Sequence, residues 1–67
     1  MNDHDLYLIT ATAVMTHGAT SRMTQIPAFI LDPGIQGIVS EQHAEEIACT
    51  IIDPFGLVTV HATAVLI

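Results

Sequence analysis

Only one stretch of this chain can form a substantial helix, and that limits the fold to a few arrangements. Residues 39–52, VSEQHAEEIACTII, place Ala44, Ile47, Ala48 and Ile51 at helical spacing, which makes one narrow apolar stripe. Ser40 is positioned to cap the first turn with its hydroxyl. Glu41, Glu45 and Glu46 put negative charge near the positive end of the helix dipole. The third residue after Ser40 is His43 rather than Glu or Gln, so the capping box is imperfect, and Val39 is expected to pack on Ala44 as a weak staple. Asp53 precedes Pro54, and a residue before proline is steered away from helical angles, so the helix ends there. A helix of roughly 12 residues is about 18 Å long. It is marginal alone in water and needs a sheet to lie on.

The rest of the chain alternates. Leu6 to Thr16 reads as a strand, with Tyr7, Ile9, Ala11, Ala13 and Met15 on one face and Leu6, Leu8, Thr10, Thr12, Val14 and Thr16 on the other. His17 to Ser21 is a glycine-containing loop. A second strand runs from about Arg22 to Leu31, with Thr24, Ile26, Ala28 and Ile30 sharing a face. Pro27 cannot donate to a ladder, so this strand is an edge or carries a bulge. Asp32-Pro33-Gly34 is a turn, and Ile35 to Val39 is a loop of bulky apolar residues around Gly37. Asp53-Pro54-Phe55-Gly56 is a second tight turn, and Leu57 to Ile67 is the last strand. The short first loop makes an antiparallel hairpin. Placing the first strand in the centre gives an α+β fold of ββαβ order: a three-stranded antiparallel sheet, order 2-1-3, with one helix on one face. Residues 1–67 form one small domain, with residues 1–4 expected as a frayed tail. Ala11, Ala13, Ala62 and Ala64 would let the helix approach the sheet closely.

A domain this small buries only about 60% of its unfolded surface, and its single cysteine allows no internal disulfide. Yet 51% of the residues are apolar and only 12% are charged. Much of that apolar surface must face water or a partner, so self-association is expected. The face bearing Thr10, Thr12, Thr59, His61 and Thr63, or the free edge of the last strand, is where a homodimer would form. Seven acids stand against one arginine, Arg22, with no lysine, for a net charge of −6. That balance argues against nucleic acid and against anionic membrane surfaces. The acid density is ordinary, so mimicry of a nucleic acid is not needed to explain it. No apolar run approaches the roughly 20 residues of a membrane span. The acidic start lacks the basic region of a signal peptide. With the lone Cys49 suiting a reducing compartment, the expected location is cytoplasmic.

The chemistry-bearing residues are scattered. His4, His17, His43 and His61 match no metal-ligand spacing, and no metal or cofactor is expected. His61 stands on a threonine-bearing strand face, where a metal or base role competes with that of an ordinary half-exposed strand histidine. His43 reads as a surface residue. Cys49 has no basic neighbour in sequence to activate it and reads as a small buried apolar residue. Asp32 and Asp53 shape turns. Gly34-Ile35-Gln36-Gly37 lacks the lysine and spacing of a phosphate loop. No nucleophile, base and oxyanion site come together, so a non-enzyme is expected.

The acidic start, the hairpin YLITAT (7–12), the helix SEQHAEEIA (40–48), the Asp53-Pro54 turn and the terminal strand together resemble the small accessory proteins of bacteriophages, especially those of actinobacteria. The resemblance covers most of the chain and transfers no functional residue. It implies a protein of the host cytoplasm that acts by binding a host protein as a modulator or inhibitor. Read from the residues, the leading expectation is a homo-oligomeric protein-binding module with contacts at Ile35, Ile38, Val39, Phe55 and the threonine face. The alternatives are an oligomeric small-ligand-sequestering protein, whose subunits enclose a polar pocket lined by His17, Arg22 and His61, and a minor structural component of a virion.

Overall fold

A computed structural model describes residues 5–67; the expected tail at residues 1–4 lies outside the described residues. The strands are β1 (Tyr7–His17), β2 (Thr20–Leu31) and β3 (Thr59–Leu66). They form an antiparallel sheet in the order β2-β1-β3. Between β2 and β3 come the single turn α1 (Pro33–Gln36) and the helix α2 (Glu41–Ile52). The fold is thus the α+β arrangement expected, with one substantial helix on one face of an open sheet.

Local chemistry explains each element. The β1–β2 connection is only two residues, because His17 already pairs with Thr20. Gly18 takes φ +62° while among the described residues only glycines have positive φ, so Ala19 does not, the pattern of a type II′ hairpin turn. Ser40 caps α2, its hydroxyl accepting from the His43 N–H at 3.1 Å. The imperfect capping box is closed in another way: His43 Nδ1 accepts from the Val39 N–H at 3.2 Å. The expected Val39 staple does not form, since Val39 is 80% exposed while Ala44 is fully buried.

The segment after β2 departs from the expected loop. Asp32 accepts from the Gly34 N–H at 2.9 Å, and Pro33 occupies the first helical turn, where its missing N–H costs nothing. That starts α1. Gly37, at φ +67°, then reverses the chain so that the Ile38 N–H reaches the Pro33 carbonyl at 3.0 Å. Ile38 swings into the core.

A second departure is in β2. Ile9 pairs with Phe29 but Ala11 pairs with Ile26, so Pro27 and Ala28 together oppose Thr10. This is a β-bulge, and it reverses the alternation. Ile26 faces the helix side, but beyond the bulge Phe29 and Leu31 do so, and Ile30 is turned out, 47% exposed. The expectation that Thr24, Ile26, Ala28 and Ile30 share a face therefore holds only as far as Ile26.

The core is small and lies under α2. Tyr7, Ile9, Leu31, Ile38, Ala44, Ala48 and Ala64 form it, with Phe29, Ile47 and Ala62 packed against it. Alanines on both sides bring α2 down on the sheet, over β3 and β1. The far part of the hairpin has no such cover. β3 pairs with β1 only from Tyr7 to Val14, so Met15 to Arg22 projects as a two-stranded ribbon. The radius of gyration, 13.1 Å, exceeds the about 11 Å of a compact chain of this length, as the projection requires.

Candidate interaction surface

The register defines the open face of the sheet. Leu6 and Ile67 exchange backbone hydrogen bonds, at 2.8 and 3.4 Å. By antiparallel alternation, the even-numbered residues of β1 bond to β3 and turn their side chains away from the helix. Three rows cross that face: Ile30–Leu8–Val65, Gln25–Thr12–His61 and Met23–Val14–Thr59. Thr10 pairs with Thr63 between the first two. Thr10, Thr12, Thr59, His61 and Thr63 therefore share this face as expected, and Thr10, Thr12, His61 and Thr63 line a shallow depression with Gln25. Sequence reasoning left out Gln25; its pairing with Thr12 follows from the two-residue hairpin turn, on the near side of the bulge. The surface offers hydroxyl, amide and imidazole groups between two aliphatic borders.

No Asp, Glu, Lys or Arg stands in these rows. Arg22 pairs with Met15 and so lies on the helix side. Of the six acids among the described residues, Glu41, Glu45 and Glu46 are on α2, Asp32 and Asp53 are at the ends of the helical layer, and Asp5 precedes β1. Charge is thus segregated from the open face.

The two edges of the sheet are each obstructed. On β2, Pro27 removes a donor and the bulge breaks the register. On β3, the expected free edge is partly occupied. Glu45 accepts from the Ala64 N–H at 3.2 Å, and the Cys49 thiol donates to the Val60 carbonyl at 3.8 Å. Glu45 and Cys49 are four residues apart, on one flank of α2. The sequence groups Glu45 with Glu41 and Glu46 near the start of α2, and the packing on β3 is what distinguishes it from them.

The other expected contacts separate. Ile38 is in the core, 4% exposed, and is corrected from contact residue to structural residue. Ile35 and Val39 lie before α2 and Phe55 after it, so the about 18 Å length of a 12-residue helix divides them. Phe55 is joined by Leu57, which sequence reasoning did not single out; they are 83% and 79% exposed. The ligand set also divides. His17 and Arg22 share a hollow with Met15 and Thr20, whereas His61 is on the opposite face of the sheet. One chain does not line a single pocket with all three, so that grouping requires residues of a second subunit.

Asp53 is fixed by the turn it forms. Its carboxylate accepts from the Val58 N–H at 2.9 Å and the Leu57 N–H at 3.1 Å. These bonds, Val58 first, hold its carboxyl below the ordinary value. Among the described residues, no three of His, Cys, Asp and Glu gather as a metal site. No helix among them is long and apolar enough to cross a membrane. Comparison with protein-family models, with curated proteins and with solved structures gives no match.

Proposed function

We propose that this chain is a small non-enzymatic protein-binding module that works as a homo-oligomer. The observation that carries this reading is the outward presentation of large apolar side chains on tight turns. Ile35, Val39, Phe55 and Leu57 are each 79–83% exposed. Each pair flanks a glycine of positive φ, Gly37 or Gly56, so the backbone itself holds these side chains away from the core. Burying one such side chain is worth about 1.5–3 kcal/mol, which makes the pairs natural anchors for a partner. The resemblance to phage accessory proteins supplies the partner class: a host protein that the module modulates or inhibits.

The test is native mass spectrometry of the full chain recovered gently from its host cells, wild type beside an Ile35→Asp/Phe55→Asp double variant. Wild type is expected to carry a second protein, and the double variant to lose it. Retention of that protein by the variant would remove these anchors from the reading. A wild type that carries no second protein would sink the partner reading. A bound mass of a few hundred daltons would favour ligand sequestration instead.

A further inference from the structure

We infer that the open face of the sheet is covered by the same face of a second copy, sheet on sheet. The inference rests on the homo-oligomer reading above and deepens it by naming the surface. Three observations lead to it. The β3 edge is held by Glu45 and Cys49, at Ala64 and Val60, so adding a strand there must first break these contacts. Pairing two β3 edges would also set two α2 helices side by side, each with three glutamates. The β2 edge is interrupted by Pro27 and the bulge.

The open face has none of these obstacles. It is uncharged, and its borders are aliphatic: Met23, Ile30 and Val65 are 70%, 47% and 51% exposed. Stacking two such faces about 10 Å apart leaves the five acids of the helical layer, Asp32, Glu41, Glu45, Glu46 and Asp53, on the outer side of each copy. They are then separated by two sheets, beyond the about 8 Å screening length at physiological salt. The net charge of −6 per chain therefore does not oppose this contact as it opposes the others.

The area is sufficient, with little to spare. Three strands about 4.8 Å apart, rising about 3.3 Å per residue over β3 and further along the hairpin, give roughly 500 Å² per copy. The total of about 1,000 Å² is the lower bound for a specific interface. The stack also covers one face of the projecting ribbon, which a two-stranded hairpin alone cannot stabilise well. In each copy the central row Gln25–Thr12–His61 then meets hydrogen-bonding groups of its like.

The test is the solution mass of the purified full chain by light scattering across a concentration series, with four variants. Thr12→Arg and His61→Glu put charge in the centre of the face. Met15→Arg puts the same charge on the other side of the same hairpin. Glu45→Ala opens the β3 edge. The wild type is expected at twice the 7.2 kDa chain mass. Thr12→Arg and His61→Glu should be monomeric with unchanged circular dichroism, and Met15→Arg should remain dimeric. Should Thr12→Arg not fold, the exposed position His61 carries the test. Glu45→Ala should form species larger than the dimer. If the wild type is dimeric and both face variants stay dimeric, the face is wrong while the homo-oligomer reading stands. A dimer lost equally in Met15→Arg also overturns the face. A 7.2 kDa wild type at every concentration overturns both, and a different protein becomes the occupant.

Discussion

Asp53 ends α2 and also orders the chain leading into β3, because its two carboxylate oxygens accept from Leu57 and Val58. Those bonds lower its folded-state pKa below the ordinary 3.8. Folding therefore favours the ionised form. The stabilisation is complete above 3.8 and is lost as pH falls through the lower folded value. Asp53→Asn is expected to lower the melting midpoint at pH 7. The gap to wild type should close on acidification below 3.8, as followed by circular dichroism melts from neutral pH to pH 2. A gap that persists unchanged at the acid end would mean that the carboxylate is not the source. The same side chain shows how a residue can be legible in part: Asp-Pro announces a turn, but which amides the carboxylate reaches depends on how that turn closes.

Among the elements, β2 is the one that carries an extra residue. Removing Ala28 takes out the extra residue of the bulge and leaves Phe29 opposite Ile9 and Leu31 opposite Tyr7, on the helix side; in an unbulged strand the same deletion would turn both outward. Leu31 is 5% exposed in the core, and losing a buried leucine typically costs about 2–5 kcal/mol. The whole domain has only about 3–10 kcal/mol to lose at typical stability per residue. Because the bulge absorbs the loss, the Ala28 deletion is expected to keep a cooperative urea transition, followed by dichroism; a largely unfolded variant, the result of turning Leu31 out of the core, would refute the bulge. The strand order is legible in the sequence because Pro27 marks an edge and the alternations of β1 and β3 are regular. Helix α2 is legible because its stripe, cap and stop agree. The bulge is only half legible: Pro27 signals one, but the residue that takes the extra place is chosen by pairing with β1. Helix α1 is a single turn, too short for periodicity to register, and Ile38 sits between Gly37 and the exposed Val39 with no pattern to mark it as core. Glu45 meets Ala64 across 19 residues of chain, a contact that no local spacing encodes.

At the scale of the whole molecule, the core is small and one face of the sheet is bare. If two copies cover that face, folding and association are linked, and the melting midpoint should rise with protein concentration. Scanning calorimetry over a hundredfold concentration range measures this, and a midpoint independent of concentration would count against assembly. The segregation of charge has a further consequence, for how such particles behave in a crowded solution. In a pair stacked on the open faces, the helical layers with Asp32, Glu41, Glu45, Glu46 and Asp53 would face outward, and repulsion between these anionic layers would keep pairs dispersed. That repulsion fades as pH approaches the isoelectric value of about 4.6. The apolar anchors Ile35, Val39, Phe55 and Leu57 then project from a shell that no longer holds neighbours apart. In a pair so built, the carboxylates of the helical layer would set the colloidal limit of the particle, and the bare sheet would set its size.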